Sequence, residues 1–409
     1  MVINVDIMRK IDLFVGVPLC FVVTLLYRLN PFSRRRKPDP IRRVLFIELS
    51  EMGSAILADP AMRKIRRRAG AELFFLIFRS TRPSLELLQT VPAENIFTLR
   101  GDRLWTLAWD TVCFILWTRR QRIDTVIDLE LFSRITALLT ALSGAARRVG
   151  FHRFHTEGLY RGNFLTHRVS YNPHVHIAKN FIALVNAALS PTPEHPYSKT
   201  LIKDDELVLA KAAVTDLQQT AVRDRVLERY PRYRSDVHRL VLVNTNASAM
   251  LIQRRWPPDH FRRLIQTILN RYDNILILLT GDPGEAAEAE TLKQAVDHPR
   301  CVNFAGGIAF HQLPALYAIS AFMLTNDSGP PHFAAVTDMP TFVLFGPETP
   351  HLYRSLGRTT PIYAGLACSP CVSAANHRKT SCTENRCLQA ITPEQVFEIL
   401  EPSLETCRE

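Results

Sequence analysis

The run Thr325-Asn326-Asp327-Ser328-Gly329-Pro330-Pro331-His332 holds the residue types best suited to bind a phosphorylated sugar. It follows an apolar stretch and leads into a predicted short helix at 331–336, where free N–H groups can hold phosphate. Glycine lets the backbone approach an anion closely, and proline suits a first helical turn. A helix cap alone would explain only part of this run. The residues predicted to bind the sugar and its phosphates are Asp327, Ser328, Gly329 and His332.

Two adjacent arginines, Arg254 and Arg255, precede a second predicted helix and follow the polar loop Asn244-Thr245-Asn246-Ala247-Ser248. Arginine offers paired N–H donors that match the oxygens of a phosphate group. Most such pairs are simply solvated, but the neighbouring phosphate motif favours a diphosphate clamp. Its predicted members are Asn246, Ser248, Arg254 and Arg255.

A third loop, Thr280-Gly281-Asp282-Pro283-Gly284-Glu285, connects a predicted strand to a predicted helix. A carboxylate in this position can bind the hydroxyls of a ribose. A plain Pro-Gly turn with a helix cap is an equally good interpretation. The candidates for ribose binding are Gly281, Asp282 and Glu285.

The first polar loop of the chain, Glu48-Leu49-Ser50-Glu51-Met52-Gly53-Ser54, carries carboxylates beyond a buried strand. A carboxylate here can act as general base towards the hydroxyl of a second substrate. Equally, Gly53 can make the turn and Ser54 can cap the following helix. The candidate bases are Glu51, Glu48 and Asp59.

Four cysteines lie close together near the C-terminus. Cys368 and Cys371 have the spacing of a metal knuckle, whereas Cys382 and Cys387 are spaced more loosely, with His377 as a spare ligand. Four thiolates can hold a structural zinc ion tetrahedrally. Disulfides and free thiols are the alternatives. No open cluster of histidines and carboxylates indicates a catalytic metal.

These loops must be positioned by the elements between them. Apolar strands alternate with helical stretches twice along the chain, which predicts parallel sheets with right-handed crossovers. Ligands of such doubly wound sheets bind beyond the carboxyl ends of the strands, where all four loops fall. The prediction is an α/β chain with two Rossmann-like domains facing a cleft, at 40–235 and 236–409. The predicted strands are 44–49, 73–78, 96–99 and 125–129, then 240–243, 275–280, 322–325 and 341–345.

Residues 1–38 differ from the rest of the chain. Leu13 to Leu29 is almost wholly apolar, and basic residues flank it on both sides, most densely at 34–37. A cleaved signal peptide is disfavoured because no small-residue cleavage site follows the apolar stretch. A buried core helix is disfavoured because charged residues flank the stretch. We therefore expect a membrane anchor, either spanning or lying on the surface. The denser basic cluster on its C-terminal side places the main body in the cytoplasm.

Composition narrows the class of partner. The chain has 409 residues, 47% of them hydrophobic, and a formal net charge of +11. This charge suits an anionic membrane or a phosphorylated substrate. No nucleic-acid partner is expected, because no binding motif for RNA or DNA occurs. Trp105, Trp109, Phe114 and Trp117 lie on one predicted helix, where most such stripes are core and a few face a membrane.

Four stretches together resemble the ADP-heptose:lipopolysaccharide heptosyltransferase family, glycosyltransferase family 9. They are Leu49-Ser50-Glu51-Met52-Gly53, Arg255-Trp256-Pro257, Asn326-Asp327-Ser328-Gly329 with His332, and the segment from Cys368-Ser369-Pro370-Cys371 to Cys387-Leu388. The resemblance implies a GT-B fold and an inverting transfer that needs no metal. It places the donor, ADP-heptose, in the C-terminal domain and a lipopolysaccharide-core or lipid-linked saccharide acceptor in the N-terminal domain.

The same resemblance assigns roles to single residues. Arg254 falls where the family often has a basic phosphate contact, so it is expected to be catalytic by stabilising the leaving diphosphate. Residues from Ile308 to His311 are expected beside the adenine. The enzyme would work at the cytoplasmic face of the bacterial inner membrane, in synthesis of the cell envelope.

This sequence departs from the family pattern in the first loop. The family usually has Gly-Asp there, with the aspartate as the presumed base, whereas Gly53 is followed by Ser54. Either another carboxylate takes the role or the activity differs. Two rival functions are therefore kept: a sugar-nucleotide epimerase on the same fold, and a catalytically inactive scaffold at the membrane.

Overall fold

A computed structural model describes residues 5–29, 40–49, 51–131, 133–155, 158–191, 194–247, 249–373, 376 and 378–407. The chain divides into two compact units, Met1–Ala210 and Lys211–Glu409. The division falls earlier than the predicted boundary after residue 235. The intervening segment contains a helix, Asp216–Arg229, that packs against a helix of the second unit, so it belongs there.

The first unit contains eight helices and six strands among its described residues. In chain order they are α1 (Val5–Phe14), α2 (Gly16–Leu29), β1 (Arg43–Ile47), α3 (Met52–Leu57), α4 (Asp59–Ala69), β2 (Glu72–Phe78), α5 (Pro83–Glu86), β3 (Ile96–Leu99), α6 (Leu104–Arg120), β4 (Thr125–Asp128), α7 (Arg134–Leu142), β5 (Arg147–Phe151), β6 (His167–Val169) and α8 (Ile177–Leu189).

The strands of the first unit form one parallel sheet in the order β3-β2-β1-β4-β5-β6. Val44 in β1 pairs with Leu73 on one side and with Thr125 on the other. Helices cover both faces, so the central strands are buried and read as continuous apolar runs. β5 and β6 escaped prediction because they are short and carry arginine and histidine.

The second unit contains eight helices and six strands among its described residues. They are α9 (Asp216–Arg229), β7 (Arg239–Asn244), α10 (Pro258–Arg271), β8 (Ile275–Leu279), α11 (Ala286–Val296), β9 (Cys301–Asn303), α12 (Leu313–Ala318), β10 (Ser320–Asn326), α13 (Pro330–Ala334), β11 (Thr341–Phe345), α14 (Pro350–Tyr353), β12 (Thr359–Tyr363), α15 (Arg386–Gln389) and α16 (Pro393–Thr406).

The second sheet repeats the topology of the first, in the order β12-β11-β10-β7-β8-β9, and is also parallel. Leu324 in β10 pairs with Val243 of β7 and with Phe342 of β11. Helix α10 shows how a face is buried, because its apolar residues recur every three or four positions towards the sheet. These buried residues are Phe261, Leu264, Ile265, Ile268 and Leu269.

The predicted N-terminal anchor is a helix that packs on the first unit. Helices α1 and α2 continue into one another, since Val15 N–H donates to the Ile11 carbonyl and Leu19 N–H to that of Val15. Residues 7–29 are long and apolar enough to cross a membrane by length and composition. One side of this helix nevertheless lies against α7, so the segment is part of the folded unit.

A buried ion pair fixes the start of this helix. The Asp12 carboxylate lies 2.8 Å from Arg134 Nη1 and also accepts the backbone N–H of Arg134, at the first turn of α7. Only 8% of Asp12 and 5% of Arg134 is exposed. Asp12 therefore caps α7 and balances a charge that burial would otherwise make costly.

The Asp12→Asn variant should lower the free energy of unfolding of the first unit by about 3 kcal/mol, because it leaves a buried arginine uncompensated. Hydrogen exchange of the first-unit amides under rising urea measures it. Glu86→Gln is the matched control in the same unit, since Glu86 is exposed beside its partner Arg82 and such pairs contribute less than about 1 kcal/mol. Equal effects of the two substitutions would contradict the buried-pair interpretation.

Candidate active site

Each sheet has one switch point, which is a pair of neighbouring central strands where the strand order reverses. Sequential order reverses where β1 lies beside β4 and where β7 lies beside β10. Loops leaving the carboxyl ends at such a switch point diverge to opposite faces, which opens a crevice for ligands. In the second unit these are the loops after Asn244 and after Asn326, which contain the two strongest motifs of the sequence.

Arg254 joins these two loops. Its Nη2 lies 2.8 Å from Glu348 Oε1, and its Nε lies 3.5 Å from Asp327 Oδ2. Both carboxylate side chains are almost fully buried, whereas 15% of the Arg254 side chain is exposed. A guanidinium group has five N–H donors, so two carboxylates can orient it while other donors contact a phosphate. The structure thus brings together Arg254 and Asp327 as the sequence predicted.

Glu348 is a site residue that the sequence analysis missed. It follows β11 directly and is 2% exposed, and Arg378 Nε lies 3.7 Å from its Oε1. The cluster therefore holds two carboxylates and two guanidinium groups, so its formal charges balance. A carboxylate one loop beyond a strand end was a usable signal for Glu348. Arg378 gave none, because the C-terminal segment brings it here by folding back.

Asn326 holds the frame around this cluster. Its Oδ1 accepts the Trp256 backbone N–H at 3.0 Å, and its Nδ2 donates to the Thr245 carbonyl at 2.7 Å. Trp256 is 1% exposed, and its indole N–H donates to the Ile391 carbonyl. One buried amide therefore fixes both ends of the loop after β7, which carries Arg254, to strand β10.

The run from Asp327 to His332 offers less backbone to an anion than predicted. Helix α13 begins at Pro330 and has proline in its first two positions, which carry no N–H. The N–H groups of His332 and Phe333 donate to the Gly329 carbonyl. This leaves Ser328 and Gly329 as the residues of the run whose backbone can face a phosphate. A Cβ at Gly329 would lie 2.8 Å from the Phe333 ring, so a larger residue would displace this ring; His332 itself is buried.

Arg255, the second member of the predicted two-arginine clamp, is held by other contacts in this structure. Its Nε and Nη2 donate to the Ala247 carbonyl, at 3.2 and 3.0 Å, and its Nη1 lies 3.1 Å from Glu288. These contacts direct the guanidinium to its own loop and to helix α11. Arg255 therefore stabilises the loop, and the binding of a diphosphate by Arg254 or Arg255 stays a prediction. Ser248 lies outside the described residues.

The third loop is mainly a helix cap, in agreement with the interpretation of this loop as a Pro-Gly turn. Asp282 Oδ1 accepts the Gly284 N–H, and Glu285 Oε2 accepts the Asp282 N–H at 2.8 Å. A Cβ at Gly281 would lie 2.6 Å from that same Glu285 oxygen. Burial raises the pKa of Glu285. A hydrogen bond from the Asn246 side chain to Glu285 offsets part of this rise. Glu285 and Asn246 are thus adjacent and remain candidates for ribose binding.

His311 is exposed in a short turn, Phe310–Gln312, before α12. Phe310 packs edge-on against Phe333 of α13, with 4.9 Å between ring centroids. This contact places the turn beside the run that begins at Asp327. The predicted position of His311 near a base is compatible with this placement and stays a prediction.

In the first unit, one candidate base is excluded. Asp59 is fully buried; its carboxylate accepts the Thr90 hydroxyl and, at 2.8 Å, the Ala210 N–H. Burial raises the pKa of this carboxyl group. Asp59 therefore ties α4 to the end of the unit and cannot meet a substrate. Glu48 is 4% exposed at the end of β1, which also makes it a poor base.

Glu51 is the accessible carboxylate of the three candidates. It is partly exposed at the start of α3, and its Oε2 accepts the hydroxyl of Ser54 at 2.9 Å. Ser54 stands where the family usually has aspartate, so the serine here orients a carboxylate three residues earlier. Ser50, in the same loop, lies outside the described residues.

Glu130 was also missed by the sequence analysis. It follows β4, beside β1, and its Oε1 accepts the Leu49 N–H at 3.1 Å. This hydrogen bond links the loops after the two strands at the first switch point. Glu130 is also partly exposed. It is therefore a second candidate carboxylate, in addition to Glu51, at the switch point where the acceptor is expected.

Positive charge concentrates along the last two strands of the first sheet. Burial, with help from Arg168 and Arg161, lowers the pKa of His152 to about 4. Burial and neighbouring Arg147 lower the pKa of His167 to about 4 as well. Both imidazoles are therefore neutral at physiological pH, and the arginines supply the charge.

The predicted structural zinc site at the four C-terminal cysteines stays a prediction. All eight cysteines are free thiols, and no group of three or more potential ligands is arranged around a metal position among the residues that the structure describes. The cysteine-containing segment braces the site, because Gln253 Nε2 donates to the Cys382 carbonyl and Asn385 Nδ2 to that of Arg255. His377 lies outside the described residues.

Solved structures identify the class of fold. The structure of E. coli ADP-heptose LPS heptosyltransferase II matches 90% of this chain and 100% of its own, with a TM-score of 0.69 and 19% identity. E. coli heptosyltransferase WaaC with ADP-2-deoxy-2-fluoro heptose matches 88% of this chain and 99% of its own, with a TM-score of 0.60 and 16% identity. At these identities the likeness concerns the fold, and it confirms the predicted GT-B class.

Sequence comparison identifies the family. The family model of glycosyltransferase family 9 (heptosyltransferase) matches residues 117–381, more than half of the chain. The chain therefore belongs to glycosyltransferase family 9, the heptosyltransferase family.

Curated relatives align over shorter stretches. Lipooligosaccharide heptosyltransferase 2 of Haemophilus influenzae is 30% identical over 100 residues, which are 24% of this chain and 28% of that protein. Lipopolysaccharide heptosyltransferase 1 of Salmonella typhimurium is 29% identical over 128 residues, 31% of this chain and 38% of that protein. The aligned stretches thus span much less than two thirds of these relatives.

The two neutral histidines predict a pH dependence of stability. Between pH 7 and pH 5, His167 becomes protonated in the unfolded chain but stays neutral in the folded chain. The free energy of unfolding should therefore fall by about 2 kcal/mol because of this group. Below about pH 4 the folded form is protonated too, and the contribution stays lost.

Urea unfolding of the first unit at pH 5 and pH 7 measures this effect. The His167→Gln variant should show a pH difference about 2 kcal/mol smaller than the parent protein. His174→Gln, at an exposed position of the same unit, should leave the difference unchanged. The assignment fails if the His167 variant keeps the full dependence.

Proposed function

We propose that this chain transfers a sugar, heptose in the first instance, from a nucleoside-diphosphate sugar to a lipopolysaccharide-core or lipid-linked saccharide, with inversion at the anomeric carbon. The observation that carries the proposal is the Arg254 guanidinium, oriented by Asp327 and Glu348 at the switch point of the second unit. Family 9 membership and the relatives that are named for ADP-heptose or its transfer support the same choice of donor.

The donor binds to the second unit in this proposal. The diphosphate contacts Arg254 and the backbone of Ser328 and Gly329, while Glu285 and Asn246 meet the ribose. Negative charge develops on the diphosphate as the sugar leaves, and a guanidinium fixed in advance stabilises that charge without reorganising. No metal ion takes part in a step, because the arginine supplies the positive charge at the leaving group.

The acceptor is activated by the first unit. Glu51 removes the proton of an acceptor hydroxyl, and that oxygen attacks the anomeric carbon of the donor sugar. One bond forms between the acceptor oxygen and this carbon, and the bond from the carbon to the diphosphate oxygen breaks. The products are the glycoside and a nucleoside diphosphate, and the proton stays on the Glu51 carboxylate until solvent removes it.

The location at the cytoplasmic face of the bacterial inner membrane is part of the same proposal. The relatives are named as lipopolysaccharide and lipooligosaccharide heptosyltransferases, and an acceptor of that kind carries a lipid. An apolar N-terminal helix with basic residues near both ends keeps the enzyme beside such an acceptor.

Two rivals give different results in one assay. An epimerase would convert a nucleotide sugar into its isomer with no acceptor present and without releasing nucleoside diphosphate. An inactive scaffold would bind a nucleotide at most. The full chain is therefore tested with a panel of nucleotide sugars, with and without a lipopolysaccharide-core acceptor, for release of nucleoside diphosphate and formation of a glycoside.

Substitution of the donor-site pair should abolish most of this turnover. We expect Arg254→Ala to lower kcat about a hundredfold or more, the usual effect of removing a charge-stabilising donor. Asp327→Ala should also lose turnover, since the arginine then loses a partner that orients it. Arg254→Lys should fall between, because lysine keeps the charge but not the fork of donors.

Arg225→Ala is the matched control, as an exposed arginine on α9 of the same unit. It should leave kcat and KM unchanged. Circular dichroism of every variant separates misfolding from a lost contact. Full activity of both Arg254→Ala and Asp327→Ala would end the donor-site assignment.

The choice of base is tested separately. Glu51→Gln should lower kcat by about 10²–10⁴-fold, the usual contribution of a general base, with donor affinity unchanged. Ser54→Ala should have a smaller effect, because Ser54 only orients the carboxylate. If Glu51→Gln is active while Glu130→Gln is not, the base is Glu130.

A further inference from the structure

The first unit exposes a large apolar surface on the side of its sheet that carries α6 and α7. Part of it is the outer side of the N-terminal helix, and part is the outer side of α6. We call the two together the apolar face. Its exposed members are Leu13, Phe14, Val15, Leu19, Phe21, Val22, Leu25, Leu26 and Leu29, then Leu104, Trp105, Trp109, Val112 and Leu116.

The inner side of the N-terminal helix is committed to the protein. Its buried positions recur every four residues, at Asp12, Gly16, Cys20 and Thr24. A Cβ at Gly16 would lie 2.9 Å from Arg134 Cβ, so the two helices approach closely. Thr24 Oγ1 accepts the Asn163 N–H at 2.8 Å. A helix docked through polar groups along its length cannot also be surrounded by lipid.

The helix follows α7 from end to end. Asp12 caps the first turn of α7, and Tyr27 Oη donates to the Ala141 carbonyl at its last turn. Arg148 lies over the Tyr27 ring, 4.6 Å from its centroid, which secures this second end. Crossing a bilayer would break all of these contacts and place Asp12 in hydrocarbon, which is unfavourable for a charged group.

Helix α6 borders the other edge of α7. Arg119 Nη2 reaches the Leu142 carbonyl where α7 ends, so α6 and the N-terminal helix flank the same element. Phe114 and Trp117 of α6 pack inward, Trp117 against Phe74. Trp105 and Trp109 instead point outward and are 65% and 63% exposed. The aromatic stripe of this helix is therefore half core and half surface.

The chemistry of this face fits an anionic lipid leaflet. Tryptophan prefers the boundary between lipid and water, and aliphatic side chains of a helix in the membrane plane enter the acyl layer. Basic residues stand at the ends of both elements, namely Arg9, Lys10 and Arg28 on the helix and Arg103, Arg119 and Arg120 on α6. They complement the charge of anionic head groups.

We propose that the N-terminal helix lies in the membrane plane without crossing it, and that Trp105 and Trp109 form a second point of contact with the same leaflet. This assignment rests on the membrane location in the proposed function, but not on the sugar or the acceptor. It makes the whole side of the first sheet that carries α6 and α7 the membrane-facing side of the unit.

Vesicle binding tests the second contact. The full chain is sedimented with vesicles of phosphatidylglycerol and phosphatidylcholine, and with phosphatidylcholine alone. The double variant Trp105→Ser, Trp109→Ser should bind the anionic vesicles about tenfold more weakly, since binding scales with the apolar area inserted. The control is Leu201→Ser with Leu217→Ser, two exposed leucines that are not members of the apolar face, which should bind as the parent does.

Topology tests the first contact. A protease-cleavable tag at Met1 is compared in spheroplasts and in inverted inner-membrane vesicles. We expect cleavage only in inverted vesicles, on the side where the enzyme body lies. Cleavage only in spheroplasts would show that the helix crosses the bilayer and would overturn the proposal. Unchanged vesicle binding of the tryptophan variant would overturn the second contact.

Two further outcomes are informative. If the face is instead a contact between two copies of the chain, sedimentation without vesicles will show a dimer that the tryptophan variant loses, which also contradicts the proposal. Turnover of a nucleotide sugar in detergent tests the proposed function separately from the membrane-face assignment. Vesicle binding without turnover removes the proposed function alone, whereas turnover without vesicle binding removes the membrane-face assignment alone.

Discussion

The second unit depends on how one guanidinium group is held. Arg254 stands between Asp327 and Glu348, two carboxylates that are nearly excluded from water. Burying such charges is costly unless each is paired, so the cluster is stable only as a set, with Arg378 completing its balance. Asn326 supplies the rigidity, because its amide hydrogen bonds tie both ends of the loop after β7, which carries the arginine, to strand β10. The site is therefore preorganised by the side chains that hold Arg254 and its loop in place.

Residues around the cluster contribute to the same preorganisation. The Phe333 ring packs closely on Gly329, and Trp256 is fixed through both of its N–H groups. The cysteine-containing segment has a comparable role, since its side chains and carbonyls support the loop of Arg254 and Arg255.

The parts of this structure that could be predicted are those that depend on local pattern. Buried parallel strands read as apolar runs, and the loops at their carboxyl ends carry Arg254 and Asp327, so the fold and the closeness of these two residues could be predicted from the sequence. The contacts that could not be predicted share a different cause. Arg255 and Asp59 have chemically suitable side chains, but tertiary contacts direct one to a carbonyl group and bury the other. Glu348, Arg378 and Glu130 enter the sites through strand adjacency and chain reversal, which no local window contains.

For the N-terminal helix, the spacing of residues indicates a tertiary contact that mean hydropathy does not. Hydropathy alone describes Leu13 to Leu29 as a span, because an average over a window ignores direction around the helix. Asp12, Gly16, Cys20 and Thr24 are spaced by four, which puts one acidic and three small residues on a single stripe. Lipid on every side gives no reason for such a stripe, whereas close docking on a neighbouring helix does. An apolar helix with one small and polar stripe is therefore better interpreted as lying between protein and lipid, and here the stripe meets α7.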